Sequence, residues 1–90
     1  MPPRSRAPAR PRYVVYIVRC ADGTLYTGCT NNLPARVRLH NQGRGAKYVR
    51  GRGPVQMVYR RACRDRAHAL RTEQAIKRLR RRAKEAMLHA

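Results

Sequence analysis

A small α+β domain with elements in the order β-β-α-β-α-α is predicted for this chain. Three observations point to it. The run Tyr13–Arg19 (Tyr-Val-Val-Tyr-Ile-Val-Arg) is β-branched and aromatic, and it is followed across an Ala-Asp-Gly turn by a second strand-like run. A third such run, Val55-Gln56-Met57-Val58-Tyr59, alternates in the manner of a half-buried strand. Beyond it Ala69, Leu70, Ala75, Ile76 and Leu79 recur near helical spacing. Ninety residues suffice for one domain with a single modest core.

Each element has a local reason. Tyr13–Arg19 and residues 24–30 flank Ala21-Asp22-Gly23, so they should pair as an antiparallel hairpin. Asn31 or Asn32 then caps a helix with Pro34 in its first turn, where the missing N–H costs nothing. In that helix Leu33, Val37 and either Leu39 or His40 point inward, while Arg36 and Arg38 lie on different faces. Gly43-Arg44-Gly45-Ala46-Lys47 ends the helix and opens a glycine- and arginine-rich loop running to Gly53, predicted to be a mobile, phosphate-seeking segment. The third strand is expected over residues 54–62, a helix from Asp65, and a last short helix over 81–89 with Ala83, Ala86, Met87 and Leu88. Residues 1–11 hold four of the six prolines and three arginines, and read as a disordered basic arm ahead of a folded domain over 12–90. No internal repeat is visible.

Charge names the partner. Lys and Arg number 22 against 4 Asp and Glu, giving a net charge of +18 and a sequence pI near 11.7. Such a field draws phosphate backbones and releases their counterions, so nucleic acid is the expected partner. A membrane surface suits the chain less well, because the basic stretches lack an apolar face with Trp or Phe anchors. No apolar run approaches the ~20 residues of a membrane span, and the basic start lacks the apolar stretch of a secretory leader. Cys20, Cys29 and Cys63 are odd in number with no C-x-x-C pair, which indicates neither a zinc site nor a disulfide framework. Cys20 and Cys29 sit in apolar strand patterns and read as small buried hydrophobes, which fits a reducing cytoplasm.

With four carboxylates, candidate metal ligands are few. Asp22 belongs to the hairpin turn, Asp65 to a helix cap, and Glu85 to an ion pair with a nearby base. Glu73 lies mid-helix, near the face that packs on the sheet. It either pairs with Lys77 one turn on, on a solvated face, or holds one hard cation such as Mg²⁺, which needs only one or two protein carboxylates. Tyr16 and Tyr26 fall on the paired strands as possible cross-strand neighbours, whereas Tyr13, Tyr48 and Tyr59 have no such pairing. Tyr48, in the basic loop, is placed to stack on a base. His40 follows Arg36 by one helical turn, so the two share a face. The residues expected to contact nucleic acid are Arg38, Arg44, Lys47, Tyr48, Arg50, Arg52, Lys77 and Arg78.

Taken together these positions resemble a known family. Val14-Val15-Tyr16, ten residues before Tyr26-Thr27-Gly28, is similar to the paired motifs of the GIY-YIG nucleases. Arg36 in Asn32-Leu33-Pro34-Ala35-Arg36 matches the family's helix arginine, His40 a position where His or Tyr is common, and Glu73 its metal-binding glutamate. The resemblance covers about residues 12–80. It is nearest to a small single-domain bacterial branch, through His40-Asn41, Gly45-Ala46-Lys47-Tyr48 and Ala75-Ile76-Lys77-Arg78-Leu79. It implies a central three-stranded antiparallel sheet flanked by helices and a divalent-metal-dependent endonuclease acting on DNA. Carried over position by position, Tyr26 deprotonates the attacking water, Tyr16 supports it by hydrogen bonding, Arg36 steadies the scissile phosphate, His40 assists proton transfer or orientation, and Glu73 binds Mg²⁺ or Mn²⁺. Some members carry a Lys where this chain has Cys29, and others an Asn after the glutamate that has no counterpart here.

Elementary chemistry agrees with these roles. A phenol of pKa ~10 is a poor base at neutral pH unless cations stabilise its phenolate. A positioned guanidinium meets the charge that builds on phosphoryl oxygens. The leading expectation is a structure-selective DNA endonuclease of repair or processing, acting on branched or damaged DNA. The rival is a nucleic-acid-binding accessory with little or no turnover. A structural, ribosome-associated basic protein is favoured by charge alone.

Overall fold

The computed structural model describes residues 13–88. Strands β1 (Tyr13–Arg19), β2 (Leu25–Thr30) and β3 (Gln56–Cys63) are joined by helices α1 (Leu33–Asn41), α2 (Arg66–Lys77) and α3 (Arg81–Leu88), with one 3₁₀ turn at Lys47–Val49 between α1 and β3. The three strands form one antiparallel sheet in the order β2-β1-β3, as the α+β reading requires. The expected arm over residues 1–11 lies outside the described residues.

β1 is central, and Val14 through Val18 are all buried. The alternation of a strand sends them to two cores. On one face Val14, Tyr16 and Val18 pack with Cys20, Leu33, Val49 and Val55, so α1 and the loop after it cover this side. On the other, Val15, Ile17 and Cys63 pack with Ala69 and Ile76 of α2, and Met87 and Leu88 of α3 close the edge of the cluster. Each fully buried Val or Ile contributes about 1.5–3 kcal/mol relative to exposure, so this one strand anchors both layers.

The helix starts are local. Asn32 Oδ1 accepts from Ala35 N (3.3 Å) and Asp65 Oδ1 from His68 N (2.8 Å), satisfying donors that a helix leaves unpaired. Asp22 closes the hairpin turn by accepting from Thr24 N (3.0 Å). The remaining carboxylate outside α2, Glu85, takes Arg81 of its own helix and Arg19 of β1 (3.0 Å), fastening α3 to the sheet.

Two expectations are corrected and one is narrowed. Leu70 and Leu79, two of the apolar residues whose spacing marked a helical face, are 38% and 37% exposed. The buried stripe of α2 is Ala69, Glu73 and Ile76, a narrow i, i+4, i+7 line suited to a sheet of three strands, and it has a carboxylate at its middle. The third strand begins at Gln56 rather than Pro54, because Val55 N donates to Asn41 Oδ1 (2.7 Å) instead of to a neighbouring strand. The loop between Gly43 and Gly53, expected to be mobile, is fastened at several points. Val49 is buried in the core, Ala21 N donates to Arg52 O (2.7 Å), and Asn41 holds the far end. Among the described residues no helix is long and apolar enough to cross a membrane.

Candidate active site

The sheet and α1 bring three rings together. Tyr16 of β1, Tyr26 of β2 and His40 of α1 have centroids 6.3 Å (Tyr16–Tyr26), 5.9 Å (Tyr16–His40) and 5.6 Å (Tyr26–His40) apart. Tyr16 and His40 are fully buried, and Tyr16 Oη is hydrogen-bonded to His40 Nε2 at 2.9 Å. The tyrosines are diagonal rather than directly opposed: the register sets Tyr26 against Val18, and Tyr16 against Gly28. That register gives Gly28 its purpose. A Cβ there would lie 2.7 Å from the Tyr16 hydroxyl oxygen and 3.0 Å from Tyr26 Cε2, so only a bare α-carbon admits both rings.

Electrostatics separates their roles. Burial, reinforced by Tyr26 and partly offset by Arg36, pushes the Tyr16 phenol up to about 12, so Tyr16 remains a proton donor at neutral pH. Burial and then the Arg36 guanidinium lower the pKa of His40, which keeps the imidazole neutral. Arg36 thus acts on both groups from α1, as its position one turn before His40 suggests.

Glu73 stands on the other side of β2. It is 9% exposed, and its Oε2 lies 2.8 Å from Lys77 Nζ, whose side chain is 43% exposed. The i, i+4 pair therefore forms, but on a carboxylate sunk in the packing face rather than on a solvated one. Cys29 is half-buried beside it, and burial together with Glu73 pushes its thiol up, keeping it protonated and a poor nucleophile. Lys77 is raised by Glu73 first and by Tyr26 and Cys29 further down, which sets it in reach of both sides of the edge strand. A cavity of about 280 Å³ opens here, lined by Leu25, Tyr26, Thr27, Tyr48, Lys77 and Lys84.

Other expected contacts divide. Tyr48, expected to stack on a base, stacks on Tyr26 (5.9 Å, 22°), and the Arg52 guanidinium sits 4.5 Å from its ring centroid. Arg52 is further occupied by Asp22 Oδ2 (2.8 Å) and Tyr48 O (2.7 Å), so it braces the loop. Arg38, Arg44, Lys47 and Arg50 are exposed, with Arg50 donating to Gly45 O (3.2 Å). Arg78 lines a separate cavity of about 450 Å³ with Leu70, Arg71, Gln74 and Ala75. Sequence reasoning missed Lys84 in the Tyr26 cavity; two turns beyond Lys77 and in a different helix, it gave no local signal.

Residues 12–86 match the model of the GIY-YIG catalytic domain. The chain belongs to the GIY-YIG family. Among relatives of this GIY-YIG domain, the UPF0213 protein DP2720 of Desulfotalea psychrophila is 56% identical over 71 residues, covering 78% of this chain and 64% of that protein, so the chain spans under two thirds of that relative's length. The UPF0213 protein SH2523 of Staphylococcus haemolyticus is 44% identical over 77 residues, covering 86% and 94%. A solution NMR structure of the UPF0213 protein BH0048 from Bacillus halodurans superposes with a TM-score of 0.57 at 43% identity, over 86% of this chain and 82% of that one. Membership in the GIY-YIG family implies endonuclease-type hydrolysis of a nucleic acid.

Proposed function

We propose that this GIY-YIG domain is a divalent-metal-dependent DNA endonuclease that selects its substrate by structure, in repair or processing of branched or damaged DNA. The observation that supports it most is the convergence of two tyrosines and a histidine on one face of β2, with a sunken carboxylate on the other. A binder has no need of either.

In this reading the Tyr26 side-chain oxygen takes a proton from the attacking water. Lys77 supplies positive charge on its side of the strand. Tyr16, held protonated, offers a hydrogen bond, and Arg36 faces the phosphate as charge builds on its oxygens. Among the described residues no three His, Cys, Asp or Glu side chains cluster, and the thiol beside Glu73 is protonated. One hard carboxylate suits Mg²⁺ or Mn²⁺, which keeps most of its water, and Glu73 is the residue that would hold it. When bound, such an ion supplies charge stabilisation at the phosphoryl oxygens. Arg38, Arg44, Lys47 and Arg50 would grip phosphates, which positions a duplex without reading its sequence.

The test is incubation of the protein with branched, flapped, nicked and plain duplexes, each with Mg²⁺, Mn²⁺ or EDTA. Metal-dependent cutting of branched or nicked forms in preference to plain duplex is expected. Tight binding with no cutting of any substrate would favour the accessory reading.

A further inference from the structure

The buried imidazole has one nitrogen accounted for and one not. His40 is 1% exposed; its Nε2 meets Tyr16 Oη, while its Nδ1 is buried without a hydrogen-bond partner. Nδ1 instead faces Gly45. A Cβ built on Gly45 would overlap the ring, with Nδ1 the nearest atom, so one Cα–H bond of Gly45 points at that nitrogen. The backbone around this contact is well fixed. Gly43 N donates to His40 O (3.1 Å), Arg44 N to Leu39 O (2.9 Å), and Arg50 Nε to the Gly45 carbonyl (3.2 Å).

A neutral imidazole has one N–H and one lone pair. A hydrogen on Nδ1 would be a buried donor with no acceptor and would meet the glycine hydrogen head-on. A lone pair there accepts the C–H bond as a weak contact and collides with nothing. We propose that Gly45 locks His40 in the Nε2–H tautomer, making His40 a fixed neutral donor to the Tyr16 oxygen rather than a proton shuttle. The Tyr16 proton then turns away from the imidazole. Burial and the Arg36 guanidinium both oppose a second proton on the ring. His40 is thus a positioning residue acting through Tyr16, and Gly45 positions His40. Only the catalytic consequence rests on the nuclease reading; the tautomer stands apart from it.

The deciding measurement is ¹⁵N-histidine NMR of the full chain without substrate, from about pH 5 to 8. A protonated Nε2 and bare Nδ1 for His40 are expected throughout. A protonated Nδ1, or a ring that gains its second proton within that range, would overturn the proposal. A folded Gly45→Ala protein should lose this signature; its retention would overturn the part given to Gly45, and if the variant does not fold the wild-type spectrum decides. In cleavage, His40→Ala should lose about a hundredfold, and His40→Gln, whose amide nitrogen takes the place of Nε2, should recover about tenfold of it. Recovery by His40→Asn and not by Gln would contradict the assignment. Because the spectrum is read on the free protein, absent cleavage would count against the nuclease reading and leave the tautomer standing.

Discussion

Gly28→Ala isolates the steric condition on which the paired tyrosines depend. Gly28 has an ordinary strand backbone, so alanine meets no conformational barrier and gains about 0.5–1 kcal/mol from reduced chain entropy. Against this stands the new methyl, 2.7 Å from Tyr16 Oη, 2.9 Å from Tyr16 Cζ and 3.0 Å from Tyr26 Cε2. Tyr16 cannot yield easily, being wholly buried and hydrogen-bonded to His40. Overpacking of this kind costs about 1–3 kcal/mol. The net is a loss of up to roughly 2.5 kcal/mol, at roughly 4–8 °C of melting temperature for each kcal/mol in a domain of this size. Urea unfolding and a thermal melt measure it, and ring-current shifts of Tyr16 and Tyr26 report whether the rings part. A variant as stable as the wild type with unmoved ring resonances would show that Gly28 does not gate the pair.

Three further outcomes are expected. Glu85 is held down to about 2 by Arg19 and Arg81, below its ordinary value near 4.3, so the stability it gives is present above that ordinary value and is lost as pH falls through about 2. Glu85→Gln should therefore melt below the wild type at pH 6, and the gap should close near pH 2; a gap that persists in acid would contradict the pairing. Asp65→Ala should cost about 1 kcal/mol in chemical denaturation through loss of the α2 cap, and no loss would refute that role. Affinity for mixed-sequence duplex should fall about a thousandfold or more between 50 and 200 mM salt, and a flat log–log plot would exclude phosphate contacts as its source.

What was legible in the sequence was local. Asn32 and Asp65 cap by reaching three residues ahead, and Asp22 closes its turn two residues on, so composition sufficed. The strands of β1 and β2 declared themselves by β-branched residues around an Asp-Gly turn. Partners far apart in the chain were not legible. Arg19 meets Glu85 across 66 residues and Arg52 meets Asp22 across 30, and in a chain this basic every carboxylate has many candidate mates. Tyr48 could not be assigned to Tyr26 from sequence, since the loop that delivers it is folded by Val49 and Asn41 rather than by any periodic pattern. The exposure of Leu70 and Leu79 was not legible for a related reason: helical spacing gives a broad apolar face, and the narrow sheet covers only the line through Glu73. The site positions were readable as a spaced set, yet the sealing of His40 by Gly45 required the three-dimensional contact.

Glu73→Gln tests the central claim most directly. The substitution nearly preserves size, and Lys77 is exposed enough to turn to solvent, so the fold should survive. The measurement is a cleavage time course in Mg²⁺ and in Mn²⁺ beside a DNA-binding titration in EDTA. Removing the one carboxylate suited to the ion should collapse cleavage in both metals, while affinity holds or rises because a negative charge has left a phosphate site. Near-normal cutting by Glu73→Gln would contradict the metal assignment and reduce Glu73 to the structural partner of Lys77.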